Sequence, residues 1–205
     1  HCYEGRTYED FMRFIADNPD VPVVQMDSVI GNKSGKVLLT LFFQNSNLLL
    51  AFLRDHNTAR SVLDVFNDLY AMFGRETYCR LFPVILTDRG SEFSNPVPIE
   101  QDENDELRSL VFYCNPSAPY QKGGIEVAHE LVRRVLPKGK SFDDLQQEDI
   151  DLMLSHINSY KRGKLNSRSA YQLFNFIYGD DILPKLNIRE IEANDIVLSP
   201  KLLKK

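Results

Sequence analysis

The sequence predicts an α/β protein built on a mixed five-stranded sheet flanked by helices, with a helical extension at its carboxyl end. Three observations carry that expectation. Three apolar segments, the first rich in β-branched residues, follow one another between residues 21 and 53, joined by short runs of turn-forming residues. A long amphipathic segment then separates them from two further short apolar runs, which is the pattern of a crossover helix between parallel strands. The last third of the chain carries mainly helical periodicity. With 205 residues and 43% apolar content, the chain is long enough to bury one full core.

Residues 1–20 read as a helix and linker. Phe11, Phe14 and Ile15 fall at helical spacing between Tyr8 and Ala16, and Asn18-Pro19-Asp20 ends the segment. Val21 to Ile30 is apolar apart from Gln25, Asp27 and Ser28, which fits a central strand with polar groups at one end. Gly31 to Lys36 supplies a turn into a second strand, Val37 to Phe43, and Gln44-Asn45-Ser46-Asn47 a turn into a third, Leu48 to Leu53. Asn57 or Thr58 caps the next helix, whose Val62, Val65, Phe66, Leu69 and Phe73 line one face, with Gly74 as the expected stop. Pro83 to Thr87 is a fourth strand, parallel to its neighbour, and Leu110 to Cys114 a fifth. Between them, the acidic run Glu100, Asp102, Glu103, Asp105 and Glu106 reads as a solvated loop. After two glycines an amphipathic helix runs through Leu136 until Pro137-Lys138-Gly139 halts it, closing a core unit at residues 21–140. Residues 141–205 form the extension, with helices around Ile150 to Ile157 and Ala170 to Ile177 and a short last strand at Ile196, Val197 and Leu198.

Composition narrows the setting. No stretch approaches the roughly eighteen apolar residues of a membrane span, and His1-Cys2-Tyr3-Glu4-Gly5-Arg6 has no signal-peptide pattern, so a soluble, cytoplasmic protein without membrane contact is expected. Three cysteines without a CxxC pair fit a reducing compartment, and Cys79 and Cys114 lie in strand-like or apolar surroundings that leave a thiol inert. The net charge of −5 hides segregation: Lys122, Arg133, Arg134, Lys138 and Lys140 cluster, as do Lys161, Arg162, Lys164 and Arg168.

Three carboxylates come from three separate elements. Asp27 lies near the end of the first strand, Asp88 directly after the fourth, and Glu126 at the start of the helix that follows Gly123-Gly124. Adjacent first and fourth strands bring Asp27 and Asp88 together, and the glycine pair allows close backbone approach before Glu126. Oxygen donors of this kind suit Mg²⁺ or Mn²⁺, a pair of which can clamp the attacking and leaving oxygens of a phosphodiester. Glu130, one turn on, is a rival third ligand. His129 and His156 lack a partner at metal-ligand spacing and read as helix-surface or capping groups.

Asp88-Arg89-Gly90-Ser91-Glu92-Phe93, together with Asn115-Pro116 through Pro119-Tyr120-Gln121-Lys122-Gly123 and Glu126, resembles the second and third motifs of a DDE transposase of the retroviral integrase superfamily. The continuation Leu131 to Gly139 is most like the bacterial insertion-sequence family numbered thirty, and His156 to Arg162 resembles the helix such enzymes carry after the core. Ile125 and Val127 stand where that family usually places asparagines. The resemblance implies an RNase H-like, retroviral integrase-like fold with Asp27, Asp88 and Glu126 as catalytic and metal-binding triad. It implies a two-metal site for Mg²⁺ or Mn²⁺, cleavage at the element's ends and strand transfer into target DNA. It also implies work as a homodimer or larger assembly, with end recognition in an amino-terminal domain before His1. DNA contacts are expected from Tyr120, Gln121, Lys122, Arg133, Arg134, Lys138, Lys161 and Arg162, the cations through phosphates. Two other readings stand beside this one: an inactive DNA-binding or assembly protein derived from a transposase, and a nuclease of the same fold.

Overall fold

The computed structural model describes residues 2–204. Its sheet has five strands, β1 (Val23–Ile30), β2 (Val37–Phe43), β3 (Leu49–Arg54), β4 (Val84–Thr87) and β5 (Leu110–Tyr113), in the order β3-β2-β1-β4-β5. The first three pair antiparallel through the two short turns, and β4 and β5 join in parallel. β2 is buried along its whole length, which explains its unbroken apolar run.

The crossover to β4 is made by α2 (Ala59–Leu81), started by a capping box in which the Thr58 hydroxyl accepts from the Ser61 N–H; such caps contribute about 1 kcal/mol. Gly74 ends only the first of its two helical segments. At φ 75° and ψ 165° it breaks the helix, which then resumes to Leu81 and places Cys79 on a helix rather than in strand-like surroundings. Leu81 and Phe82, at the end of this resumed segment, are buried.

α1 (Tyr8–Asp17) covers the β4–β5 side of the sheet. Phe11 packs with Val23, Val84, Leu86, Phe112 and Cys114, whereas the alternate residues Ile85, Val111 and Tyr113 face the larger core on the other side. That larger core takes in α4 (Gly123–Val135), α5 (Gln147–Ser159) and α6 (Ala170–Tyr178), so the C-terminal extension shares the core of the sheet.

α5 docks along β3 through two side-chain amides. Asn158 accepts from the Leu49 N–H at 2.9 Å and donates to the Leu49 carbonyl at 2.8 Å, while Gln147 accepts from the Leu53 N–H and donates to the Ala51 carbonyl. On the opposite rim, the Val111 N–H is taken by Glu100 Oε1 at 3.0 Å and the Tyr113 N–H by the Arg6 carbonyl at 2.8 Å.

Two expectations need correcting. The acidic stretch is not uniformly solvated: Glu100 ends the short helix α3 (Val97–Glu100), is buried, and pairs with Arg6 at 2.6 Å. Residues 196–198 form no strand, because the Val197 N–H is taken by His156 Nδ1 rather than by a neighbouring strand. His156 itself is buried, not a helix-surface group.

Candidate active site

Parallel pairing of β1 with β4 ends at Gln25 and Leu86, so both strands deliver their next polar residues to the same carboxyl edge of the sheet. Asp27 comes from β1 and Asp88 follows Thr87, whose hydroxyl donates to the Met26 carbonyl and ties the two strand ends together. Both carboxylates reach one cation. Lys122 Nζ lies 3.0 Å from Asp27 Oδ2 and 3.2 Å from Asp88 Oδ2, and donates also to the Met26 carbonyl at 3.1 Å. Lys122 is 2% exposed. Burial opposes its charge, but Asp27 and Asp88 outweigh it and hold the ammonium above its ordinary pKa.

Glu126 sits on the first turn of α4, and with Asp88, Cys114, Asn115 and Lys122 it lines a cleft of about 310 Å³. Burial raises its pKa, with Asp27 and then Asp88 adding to the rise and Lys122 opposing it. Glu126 therefore shares the electrostatic field of both aspartates. Glu130 is exposed and does not line the cleft. α4 can lie this close because residue 124 is glycine: a Cβ there would overlap the Phe42 ring of β2. The Ile125 N–H is anchored on Gln25 Oε1 at 2.8 Å. Among the described residues, no three acidic, histidine or cysteine groups converge closely enough to hold an ion as they stand.

Two further elements at the site were not legible as such in the sequence. Ser28 donates to Glu92 Oε1 at 2.8 Å and receives Arg54 Nη2 at 3.1 Å, while Arg54 Nη1 donates to the Ser61 hydroxyl at 2.8 Å. Glu92 also lies across Gly90 from Asp88, since a Cβ at Gly90 would be 2.6 Å from Glu92 Oε2 and 3.1 Å from Asp88 Oδ1. Arg54 is buried, and that burial, offset by Glu92, draws its pKa down to about 10. The motif residue Glu92 was visible, but its partners come from β1 and the end of β3.

His129 is the second element, and the expectation of a surface or capping group fails for it. Its Nε2 lies 2.8 Å from Thr40 Oγ1, whose single proton goes to the Asp27 carbonyl, so the imidazole donates to Thr40. Burial, with Lys122 and Arg133 adding and Asp27 opposing, draws its pKa down from 6.5 to about 4. The unfolded chain thus binds the proton first as pH falls, and stability contributed by the neutral ring is lost between pH 6.5 and 4. His129→Gln should flatten this part of the pH dependence, measured as unfolding temperature across that window.

No known family profile matches the chain. Individual relatives do. The ORF3 product of Spiroplasma virus SpV1-R8A2 B, which carries the provisional name of integrase, is 30% identical over 151 residues, 74% of this chain and 45% of that protein. The transposase InsI of insertion sequence element IS30A from Escherichia coli is 22% identical over 147 residues, 72% of this chain and 36% of that protein. The transposase of element IS1086 from Cupriavidus metallidurans is 35% identical over 63 residues, 31% of this chain and 19% of that protein. The chain is thus similar in sequence to integrases and insertion-sequence transposases over most of its own length. It spans less than half the length of these curated relatives. A chain of the simian T-cell lymphotropic virus intasome, solved with the PP2A regulatory subunit B56 gamma, superposes at a TM-score of 0.55 with 16% identity, covering 83% of this chain and 58% of that one. The fold is the RNase H-like fold of integrase cores.

The remaining residues expected to touch DNA fall into three groups. Tyr120, 79% exposed, and the exposed Arg134, Lys138 and Lys161 project from the surface. Gln121 and Arg133 are partly committed to the protein: Gln121 Oε1 accepts the Asn115 N–H at 2.8 Å, and Arg133 Nη2 donates to the Ile30 carbonyl at 3.0 Å. Arg162 is half-buried, and its Nε and Nη2 have no protein partner. Lys122 departs from the expectation as it stands here, because its charge is engaged inside the site by two carboxylates rather than offered to a phosphate at the surface. A surface concavity of about 740 Å³ between α2 and the acidic loop is lined by none of these groups.

Proposed function

We propose that the chain is the catalytic portion of an insertion-sequence transposase that cleaves DNA and joins a freed 3′-hydroxyl to a target strand, with Asp27, Asp88 and Glu126 as its acidic triad. The observation that carries this reading is the convergence of Asp27 and Asp88, from the ends of two adjacent parallel strands, on one buried cation with Glu126 beside the same cleft. Sequence similarity to an integrase and to insertion-sequence transposases supports it.

The donor set fits a hard divalent ion: it consists of carboxylate oxygens, and its oxygens already surround a positive charge in the form of the Lys122 ammonium. When bound, Mg²⁺ or Mn²⁺ would supply charge stabilisation to the attacking and leaving oxygens of the phosphodiester. The chain's own part is positional. β1 and β4 fix Asp27 and Asp88 through the tied strand ends, the Gly90 N–H orients Asp88 Oδ1 at 2.8 Å, and α4 carries Glu126 over the sheet edge on Gly124. The exposed Tyr120, Arg134, Lys138 and Lys161 are the side chains we assign to DNA, with Arg133 and Arg162 partly available and DNA ends and target as the partners. Assembly as a dimer or higher oligomer belongs to the same proposal.

A second reading, an assembly protein that has kept the fold and lost the chemistry, is favoured by one observation: Lys122 already pairs with both aspartates and offsets one of their two charges. The two separate in a strand-transfer assay with a pre-cleaved duplex end, a supercoiled target and Mn²⁺. Joined product that disappears in Asp27→Asn and Glu126→Gln supports the transposase. Cleavage without joining points to a nuclease, and DNA binding without either reaction to the assembly protein.

A further inference from the structure

Lys122 is a charged side chain in an unusual place. It is 2% exposed, it stands at the junction between the 3₁₀ turn Pro119–Lys122 and α4, and its three N–H donors meet three oxygens, Asp27 Oδ2, Asp88 Oδ2 and the Met26 carbonyl. A buried ammonium is tolerated only when its donors are all satisfied and its charge is paired, and both conditions hold here. Conversely, without it Asp27 and Asp88 would face one another at the sheet edge with no positive charge between them.

A divalent ion held between Asp27 and Asp88 would compete with Nζ for their Oδ2 atoms, since the Oδ1 atoms accept the Ser28 and Gly90 N–H groups. An ammonium and a divalent ion held together on those oxygens repel each other in a partly desolvated site, which favours one or the other. We propose that Lys122 is a built-in counter-cation: it keeps the Asp27 and Asp88 carboxylates together before metal loading, and a divalent ion enters by displacing its ammonium. The inference rests on the metal-site reading above and adds a competitor to it. Being on the same chain, that competitor acts at a high effective concentration, so the protein without DNA binds metal weakly. Displacement also frees one cation at the mouth of the cleft lined by Asp88, Asn115 and Glu126, where a phosphate would arrive.

The test uses the whole chain and Mn²⁺ alone, followed by calorimetric titration without DNA. Lys122→Gln should bind Mn²⁺ more tightly than the unmodified protein by at least about tenfold, the order expected on removing one positive charge within a few ångströms of the ion. Adding Asp88→Asn should abolish the gain. Equal affinity in the two proteins overturns the inference while leaving the carboxylate site standing. Absence of Mn²⁺ binding in both proteins at millimolar concentration overturns the inference and the metal-site reading together. A second measurement needs no variant. Acetylation of the Lys122 amine, read by mass spectrometry, should be slow in the unmodified protein and should accelerate severalfold on addition of Mn²⁺. Saturating metal that leaves Lys122 as protected as before rules displacement out, even if Lys122→Gln fails to fold.

Discussion

Asp88→Asn is expected to lower metal-dependent DNA cleavage by more than about a hundredfold, which exceeds what the loss of a residue supporting a metal ligand usually costs. The substitution keeps the shape of the side chain and its hydrogen bond from the Gly90 N–H, and it leaves Lys122 paired with Asp27 and the Met26 carbonyl. The fold should therefore survive. A rate measured on a labelled duplex with Mn²⁺, beside an unfolding curve for the same preparation, separates loss of chemistry from loss of structure. Cleavage at an undiminished rate in a folded Asp88→Asn protein would remove this carboxylate from the proposed triad.

Phe43→Ala should cost about 3–5 kcal/mol in unfolding free energy, the range for truncating a buried aromatic and leaving a cavity. Phe43 is 1% exposed at the end of β2, and its ring lies 5.6 Å from Phe82, 5.2 Å from Phe174 and 6.1 Å from Tyr178. It thus links the sheet to the end of α2 and to α6 in the extension. Denaturant titration followed by fluorescence and by helical circular dichroism should give coincident curves that shift together in the variant. Separate transitions for sheet and extension would contradict a shared core.

Much of the architecture was legible because it is encoded locally. The turn residues around Gly31-Asn32 and Asn45-Ser46-Asn47 marked two hairpins, and the crossover helix announced a parallel fourth strand. Asp27 and Asp88 could be placed together for the same reason, since adjacent strands share an edge. The sequence failed where a residue's environment is supplied from far along the chain. Glu100 looked like one more member of a solvated acidic run, and its partner Arg6 lies 94 residues away. His129 looked like a helix-surface group until Thr40, 89 residues distant, took its ring nitrogen. Lys122 has the composition of a surface cation, and nothing local reveals that two carboxylates draw it inward. Gly74 does break the helix with a positive φ, but the second helical segment beyond it, which buries Tyr78 and Leu81, was not read from the sequence.

The side-chain amides of Gln147 and Asn158 along β3, and the Glu100 carboxylate and Arg6 carbonyl along β5, have a consequence for crowding. An uncovered outer strand offers a row of backbone donors and acceptors on which a second molecule can grow an intermolecular sheet. Here both rims spend backbone groups within the molecule. Copies brought together at high local concentration therefore meet through helices and loops, and the sheet that carries the acidic residues is shielded from seeding amyloid-like stacks.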